Sequence, residues 1–218
     1  MKRTKTSKAW MQQHLSDEYV KRAQKEGYRA RAAYKLMEID DKDKLIKPGM
    51  TIVDLGSTPG SWSQVAVQRL LDKGSGMVSG KVIALDILDM QGIPYVEFIQ
   101  GDFREDAVLN QLEAVLNNKP IDLVIADMAP NMSGVVTADQ ANAMYLTELA
   151  LDFSVKWLKP QGNFLVKVFI GEGFDDMMKT MRLHFDKVVS RKPKASRDKS
   201  NEVYLLGLSK KEIKVLNS

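Results

Sequence analysis

The chain has 218 residues, of which 44% are hydrophobic and 28% charged. These values are typical of a globular domain and exclude a collagen, a fibrous repeat and a chain that is disordered throughout. There is no cysteine, which excludes disulfides, zinc fingers, iron–sulfur clusters and a cysteine nucleophile and fits the reducing cytoplasm. Because there are also only two histidines, no metal site is expected. The formal net charge is only +4, and no membrane span is expected because no apolar run approaches the ~18 residues of a membrane helix.

The N-terminal part of the sequence is strongly basic. Residues 1–35 contain ten Lys and Arg residues against three acids, a net charge of +7. We expect residues 1–15 to form a flexible basic arm and residues 16–218 to form one domain. Ser16 is the expected N-cap of a first helix that ends at Glu26. A second helix is predicted over residues 30–39, with the basic side chains Arg29, Arg31 and Lys35.

From residue 51 onward, strands and helices alternate. Buried-strand patterns occupy residues 51–56, 81–86, 96–100, 121–126 and 163–170, and helical patterns occupy residues 61–71, 106–116, 139–158 and 174–184. Two closing strands, 187–190 and 203–208, have no helix between them. This order predicts a Rossmann-like α/β fold: a seven-stranded, mostly parallel sheet with helices on both faces and an antiparallel last strand.

Acidic residues follow four of the predicted strands. They are Asp54, Asp86, Asp102 and Asp127. Ligands of open α/β sheets bind at the carboxyl ends of the strands, where these side chains are expected to lie. One such acid alone would more often be a helix cap or a turn residue, but four in succession favour a binding site.

The loop after the first strand contains Gly56 and Gly60, which allow a close backbone approach to a ligand. It is neither a G-x-G-x-x-G motif nor a phosphate-binding P-loop. An acid at the start of the loop, Asp54, suits a ligand with a positive centre and a ribose, and S-adenosyl-L-methionine has both. Asp86 is placed to accept hydrogen bonds from ribose hydroxyls, and Asp102 from the adenine amino group. Trp62 either stacks on the ligand or fills the core.

Lys167 interrupts a strand that is otherwise entirely apolar. A buried lysine needs an acidic partner, and Asp127 at the end of the neighbouring strand is the natural one. The alternative is a lysine whose head reaches the edge of the sheet. Glu202, which opens the last strand, could reach the same edge, although an acid on the surface is the default interpretation.

Several segments together resemble the FtsJ/RrmJ family of ribose 2′-O-methyltransferases, and within it the bacterial branch acting on large-subunit ribosomal RNA. The resemblance covers residues 10–208, and its segments are 16–20, 29–36, 53–64, 100–104, 127–134, 166–169 and 200–204. It implies a Lys–Asp–Lys–Glu tetrad at Lys35, Asp127, Lys167 and Glu202. By itself Lys35 is one more basic helix residue. The resemblance also implies S-adenosyl-L-methionine bound at Gly60, Trp62, Asp86, Asp102 and Asp127, with Asp54 and Gly56 in the loop.

The resemblance further implies the reaction. The expected substrate is the 2′-hydroxyl of a uridine in the A loop of 23S rRNA, on the assembled large subunit, and the expected state is a monomer. Lys167 would be the base or would orient the hydroxyl, held by Asp127, and no metal is needed. One departure is visible: the bacterial enzymes usually have Ala-Ala and Gly where this chain has Ser57-Thr58 and Ser61.

Basic residues near the C-terminus complete a charge asymmetry. Residues 186–201 carry +4, whereas residues 36–185 carry −8. Two basic ends beside an acidic body favour an RNA partner over merely solvated surfaces. The expected RNA contacts are Arg29, Arg31, Lys192, Lys194, Arg197 and Lys199. The alternatives are a methyltransferase for another RNA, a nicotinamide-dependent dehydrogenase, and a ribosome-assembly factor that binds RNA without cofactor.

Overall fold

A computed structural model describes residues 17–130, 133–197 and 200–212. The predicted arm over residues 1–15 lies outside these ranges. The helices are α1 (Glu18–Glu26), α2 (Ala33–Asp43), α3 (Ser61–Arg69), α4 (Asp106–Leu116), α5 (Val136–Trp157) and α6 (Phe174–His184). The strands are β1 (Thr51–Leu55), β2 (Lys81–Asp86), β3 (Val96–Gln100), β4 (Ile121–Ala126), β5 (Leu158–Phe169), β6 (Phe185–Arg191) and β7 (Glu202–Lys210).

The seven strands form one sheet in the order β3-β2-β1-β4-β5-β7-β6. Every neighbouring pair is parallel except the two pairs that involve β7, which runs antiparallel to both β5 and β6. The predicted Rossmann-like architecture is therefore confirmed, including its antiparallel last strand. The chain reverses its direction of winding between β1 and β4, which places a crevice at the carboxyl ends of these two strands.

Two apolar layers cover the sheet. On one face, α2 and α3 pack on side chains such as Ile52, Leu123 and Leu165. On the other face, α4, α5 and α6 pack on the side chains that alternate with them, such as Val53 and Val124. Because both faces are covered, the central strands are mostly apolar, which is why they could be predicted from the sequence although Asp54 and Lys167 interrupt two of them.

The N-cap of α1 is Asp17 and not the predicted Ser16, which lies outside the described residues. The Asp17 carboxylate accepts a hydrogen bond of 2.9 Å from the backbone N–H of Tyr19. This bond satisfies one of the N–H groups that the first turn leaves unpaired. The helix ends at Gly27, as predicted, because this residue adopts the left-handed conformation with φ of 79°.

Helix α2 begins at Ala33, three residues later than predicted, and continues to Asp43. The backbone before it forms a tight turn in which Ala33, Tyr34 and Lys35 donate to the carbonyls three residues earlier. The backbone N–H of Arg29 donates to the Gln64 side chain, 2.9 Å away. Arg29 and Arg31 consequently precede the helix that was predicted to carry them.

Other boundaries also differ from the predictions. Helix α3 ends two residues early, α5 begins three residues early at Val136, and β6 and β7 are longer than predicted at both ends. Strand β5 begins at Leu158, whose partner is Ile121, and its register shifts before Asn163 pairs with Leu123. The predicted strand, 163–170, is the apolar part of β5 without its first residues and ends one residue too late.

Candidate active site

Strand register brings the residues of the proposed tetrad together. On the antiparallel pair β5–β7, Lys167 lies opposite Tyr204 and Phe169 opposite Glu202. Strand β4 runs parallel to β5 with Ala126 beside Val166, so Asp127 emerges next to Lys167. Three strands thus deliver an acid, a lysine and a second acid to one edge of the sheet.

The predicted pair of Lys167 and Asp127 is present in the structure. The Lys167 Nζ donates to the Asp127 backbone carbonyl at 2.8 Å and lies 3.1 Å from its Oδ1. The lysine side chain is only 8% exposed, so two contacts with the same residue compensate for much of the cost of burying its charge. An ammonium group has three N–H bonds, which leaves one without a partner among the described residues.

Lys35 and Glu202 form a second ion pair beside the first. The Lys35 Nζ lies 2.5 Å from Glu202 Oε1, and each side chain is 14% exposed. Lys35 reaches this position because α2 packs on the sheet through its neighbours Leu36 and Ile39. Glu202 also accepts from the Ser196 hydroxyl at 3.4 Å. The structure therefore brings all four predicted residues into one cluster.

Tyr204, for which no role was predicted, joins the two ion pairs. Its ring is fully buried, and its hydroxyl lies 3.0 Å from Asp127 Oδ1 and 3.2 Å from Glu202 Oε1. Burial and the nearby charges of Asp127 and Glu202 raise the pKa of Tyr204 well above 10. The hydroxyl is therefore protonated and has one hydrogen for two carboxylates. The sequence did contain a signal for Tyr204. It lies two residues after Glu202 on the same strand, and residues two apart on a strand share a face of the sheet.

A cavity of about 440 Å³ opens beside this cluster at the carboxyl ends of the parallel strands. Four residues of the sequence prediction line it: Gly56, Asp86, Asp102 and Asp127. Its apolar walls include Leu88, Phe103, Met128, Tyr145 and Leu146. Asp54, Gly60 and Trp62 are not among its lining residues. A cavity of this size and mixed character suits a nucleoside-sized ligand.

The loop after β1 approaches the β4 end of the cavity very closely. Gly56 has φ of 74°, and a Cβ built on it would lie 2.8 Å from the backbone N and Cα of Met128. Only glycine fits both the dihedral angle and the space. The same loop meets the end of β2, because Asp86 Oδ2 accepts from the Thr58 backbone N–H at 2.8 Å. The other carboxylate oxygen accepts from the Leu88 N–H at 2.8 Å.

Asp102 lines the cavity and is bound by Arg104, a partner that was not predicted. The Arg104 Nε donates to both carboxylate oxygens, at 2.9 Å and 3.0 Å, and its Nη2 to Oδ2 at 2.5 Å. The hydrogen bonds from Arg104 lower the pKa of Asp102. This carboxylate is therefore held ionised, as a pure hydrogen-bond acceptor.

Asp54 and Trp62 are buried behind the cavity. Burial raises the pKa of Asp54 to about 7, with the charges of Asp127 and Asp86 acting in the same direction against a hydrogen bond from Ser63. The Ser63 hydroxyl donates to Asp54 Oδ2 at 2.7 Å, while Oδ1 has no partner among the described residues. The Trp62 indole N–H donates to the Ala32 carbonyl at 2.8 Å, and its ring lies 5.5 Å from that of Tyr204. Of the two predicted roles of Trp62, these contacts favour filling the core.

Comparison with known proteins identifies the family. The model of the FtsJ-like methyltransferase family matches residues 28–210. A relative from Methylobacillus flagellatus, named ribosomal RNA large subunit methyltransferase E, is 70% identical over 211 residues, which is 97% of this chain and 99% of the relative. The relative of the same name from Chromobacterium violaceum is 61% identical and covers 95% of this chain and 98% of its own length.

This chain belongs to the FtsJ-like methyltransferase family.

The crystal structure of another protein supports the fold of this FtsJ-like methyltransferase. It comes from Plasmodium falciparum and is provisionally named a ribosomal RNA methyltransferase. It is 32% identical, superposes with a TM-score of 0.74, and covers 84% of this chain and 98% of its own.

The three departures from the usual loop of this family have different surroundings. The Thr58 hydroxyl donates to the Leu88 carbonyl at 3.1 Å. The Ser57 hydroxyl oxygen is buried without a partner among the described residues, and Ser61 opens α3 as a buried residue. Thr58 thus adds a link between the loop and the β2–β3 connection that an alanine could not make.

The predicted RNA-contact residues of this FtsJ-like methyltransferase do not share one environment. Arg31 is largely buried and bonds to the Asp17 carboxylate and to the Ala195 carbonyl, the latter at 2.5 Å. The Lys192 Nζ donates to the carbonyls of Ser200 and Glu202 at 2.6 Å and 2.5 Å. Lys194 is exposed and Arg197 half-buried, and Lys199 lies outside the described residues. The Arg29 guanidinium donates to backbone carbonyls of the protein itself.

Within residues 17–130, 133–197 and 200–212, no group of three or more histidine, aspartate or glutamate side chains is arranged to hold a metal ion. In the same part of the chain, no helix is both long and apolar enough to cross a membrane.

Proposed function

We propose that this FtsJ-like methyltransferase transfers a methyl group from S-adenosyl-L-methionine to a ribose 2′-hydroxyl in large-subunit ribosomal RNA. The target would be a uridine of the A loop in 23S rRNA, on the assembled large subunit. The observation that carries the proposal is the pair of lysine–carboxylate contacts, Lys167–Asp127 and Lys35–Glu202, joined by Tyr204 beside the cavity.

The cavity fits the adenosyl part of the proposed cofactor. Asp86 offers carboxylate oxygens to a ribose diol, and Asp102 offers an acceptor to the adenine amino group. Phe103, Leu88 and Met128 supply apolar walls on which a flat base could lie. The Ser57 hydroxyl, on the loop after β1, is buried and has no hydrogen-bond partner among the described residues, so it is a further polar atom next to the cavity-lining residues Gly56 and Thr58. When bound, S-adenosyl-L-methionine supplies an electrophilic sulfonium methyl group.

The lysine–carboxylate cluster suits the second reactant. A ribose 2′-hydroxyl is a neutral, weak nucleophile, so the enzyme must position it and take up its proton. Two contacts hold Lys167 against Asp127. Its third N–H bond has no partner among the described residues and could donate to a substrate oxygen. We infer that Lys167 orients the hydroxyl or, in its neutral form, accepts its proton. Lys35 and Glu202 then hold Asp127 in position through Tyr204, and this keeps Asp127 correctly placed relative to the substrate ribose.

Ribosomal RNA is proposed as the substrate because the two bacterial relatives are named for it at 70% and 61% identity. The basic segment 192–197 borders Glu202 through the Ser196 hydroxyl. Its exposed side chains, Lys192 and Lys194, are available to phosphate groups. Phosphate contacts of this kind supply affinity, whereas the choice of nucleotide depends on contacts with the bases. The uridine and the A loop follow from the family resemblance of the sequence.

The decisive experiment measures methyl transfer from labelled S-adenosyl-L-methionine. Large ribosomal subunits and naked rRNA from a strain that lacks the enzyme serve as parallel substrates, and the modified ribose is mapped. We expect incorporation at one 2′-hydroxyl, in subunits. Incorporation into naked rRNA alone would contradict the proposed timing. Cofactor binding without incorporation into either would indicate another RNA, and the absence of cofactor binding would favour an assembly factor.

Replacement of Lys167 tests its role. We expect Lys167→Ala to lower turnover at least ~100-fold, the usual scale for loss of a proton-transfer group, while S-adenosylhomocysteine binding stays within a factor of about three. Single-turnover methylation and calorimetric titration measure the two quantities. Lys187→Ala, an exposed lysine on β6, is the matched control. Retained turnover in a folded Lys167→Ala protein would disprove the assignment.

A further inference from the structure

The side chain of Arg29 makes three hydrogen bonds, all to backbone carbonyls. Its Nη1 donates to Pro59 at 2.9 Å and to Gln91 at 2.6 Å, and its Nη2 donates to Gly92 at 2.9 Å. Pro59 belongs to the loop that follows β1, and Gln91 and Gly92 belong to the connection between β2 and β3. One guanidinium thus bridges two loops that are more than thirty residues apart in the sequence.

Both bridged loops form walls of the cavity. The loop after β1 contributes Gly56 and Thr58, and the β2–β3 connection contributes Ile87 and Leu88. The loops also touch through the Thr58 hydroxyl and the Leu88 carbonyl. This contact lies close to the cavity, whereas the Arg29 bridge lies further along both loops. Two separate links therefore fix the relative position of these walls.

Arg29 also packs against Gly60, the residue directly before α3. Gly60 has φ of 106°, and a Cβ built on it would lie 2.6 Å from Ile93 Cδ1 and 3.0 Å from Arg29 Nη1. The backbone of Gly60 is therefore enclosed between Arg29 and the β2–β3 connection. The turn before α2 is anchored to α3 as well, because Gln64 accepts from the Arg29 N–H at 2.9 Å and donates to the Gly27 carbonyl at 3.0 Å.

We propose that Arg29 is a positioning residue of the cofactor pocket, which holds the loop after β1 against the β2–β3 connection. The identity of the ligand, S-adenosyl-L-methionine, rests on the proposed function. The bridging of the two loops by Arg29 does not depend on it. It differs from the sequence-based expectation, in which Arg29 binds RNA. A guanidinium that already donates to three carbonyls has few donors left for a phosphate.

The geometry of the bridge distinguishes arginine from lysine. A guanidinium is a flat fork whose two terminal nitrogens point at separate acceptors, whereas lysine presents a single nitrogen at the end of a flexible chain. Arg29→Lys keeps the positive charge but cannot join Pro59 to Gln91 and Gly92 in the same way. A phosphate contact would survive this change far better, since it depends mainly on charge.

The test combines hydrogen exchange with two binding measurements on the full-length protein, comparing wild type, Arg29→Lys and Arg29→Ala. In both variants we expect faster amide exchange in residues 57–61 and 87–95, with exchange in β4 and β5 unchanged. We expect the Kd of S-adenosylhomocysteine to rise about tenfold or more, which corresponds to the loss of one or two net hydrogen bonds. We expect the RNA affinity and its salt dependence to change less than about twofold in Arg29→Lys.

Each other outcome overturns part or all of the proposal. Unchanged exchange in both loops would refute the bridge. Faster exchange with an unchanged Kd for S-adenosylhomocysteine would refute its role in the pocket. A loss of RNA affinity in Arg29→Ala that Arg29→Lys restores would assign Arg29 to the RNA surface instead. If wild type itself does not bind S-adenosylhomocysteine, the proposed function fails, while the exchange result still decides whether Arg29 bridges the loops.

Discussion

Tyr204 is the residue on which the lysine–carboxylate cluster converges. Its hydroxyl touches one carboxylate from each ion pair, and the Lys35 Nζ lies 5.7 Å from the centre of its ring, within the range of a cation–π contact. Since the ring is fully buried and packed on Trp62, the hydroxyl cannot move far. Tyr204 therefore fixes the distance between Asp127 and Glu202 without having to contact the substrate.

Removal of the Tyr204 hydroxyl tests this positioning role. We expect Tyr204→Phe to lower kcat about 10–100-fold, the equivalent of ~1.5–3 kcal/mol for a hydrogen bond to a charged group. The Kd of S-adenosylhomocysteine should stay within a factor of about three, because the cavity walls do not include Tyr204. Single-turnover kinetics and calorimetry measure these quantities, and Tyr95→Phe, at an exposed tyrosine, is the control. A kcat equal to that of wild type would show that Asp127 and Glu202 keep their places unaided.

Individual residues differed in how visible their roles were in the sequence. Lys167 stood out because a charged residue interrupts an apolar strand, and its partner followed from the order of the strands. Tyr204 did not stand out, since tyrosine is common in strands. Arg104 and Ser63 were equally inconspicuous, because their contacts with Asp102 and Asp54 are made by ordinary polar residues. Only the resemblance to a family singled out Lys35.

The predicted starts of two helices differ from the structure by three residues each. Helices α2 and α5 have Ala32 and Val135 as their N-caps, and neither makes a side-chain capping bond. The predicted start of α5, Asp139, lies inside the helix, and its carboxylate accepts from the backbone N–H groups of Ser133 and Gly134. In contrast, the ends of β2, β3 and β4 match the predictions. Strands β2 and β4 each contain an uninterrupted apolar run of four residues, 82–85 and 123–126.

The connection between β6 and β7 is anchored to the two N-terminal helices. Glu38 on α2 accepts from the backbone N–H groups of Lys194 and Ala195, at 2.6 Å and 3.0 Å. Arg31 donates to the Ala195 carbonyl, and Ala195 is fully buried. Arg191 at the end of β6 bonds to the Asp43 carboxylate at 2.6 Å and 2.7 Å. The basic segment is thus held by its backbone, which leaves the Lys194 side chain exposed.

This anchoring allows a clean test of the RNA contact. Lys194→Gln removes one exposed charge and leaves the backbone bonds to Glu38 in place. If Lys194 contacts a phosphate, its replacement should lower RNA affinity and reduce the slope of log K against log salt by about one. Binding titrations at four salt concentrations measure both effects. Lys73→Gln, an equal loss of charge at an exposed position before β2, should change neither, and an unaltered slope in Lys194→Gln would exclude a phosphate contact there.

At the scale of the whole molecule, the limits of prediction from sequence are those of long-range geometry. The alternation of strands and helices predicted the architecture, and parallel strands necessarily gather their carboxyl ends at one edge. The position of Lys35 depends on how α2 lies across the sheet, and that packing has no local signature. The same holds for Arg29, whose partners Pro59, Gln91 and Gly92 come together only in the folded chain.

The concentration of acids at this edge has a consequence for the stability of the whole fold. Asp54 lies in a fully buried position near Asp86 and Asp127, and its pKa in the folded protein is raised from 3.8 to about 7. Between these two values, the unfolded chain releases the Asp54 proton while the folded chain retains it. Unfolding is therefore favoured progressively as the pH rises from about 4 to about 7, and the effect levels off above that range.

An Asp54→Asn variant removes this titration and keeps the shape of the side chain. As the pH rises from about 4 to about 7, we expect the free energy of unfolding of the variant to increase relative to that of wild type by on the order of 2–4 kcal/mol. This corresponds to a relative increase in Tm of roughly 5–10 °C. Thermal unfolding followed at several pH values, without cofactor, measures the difference. Asp152→Asn, at an exposed position on α5, controls for a general change in charge. The opposite result would be a constant difference in Tm between Asp54→Asn and wild type across this pH range. It would mean that the Asp54 carboxylate is already ionised in the folded protein and that neighbouring groups compensate its charge.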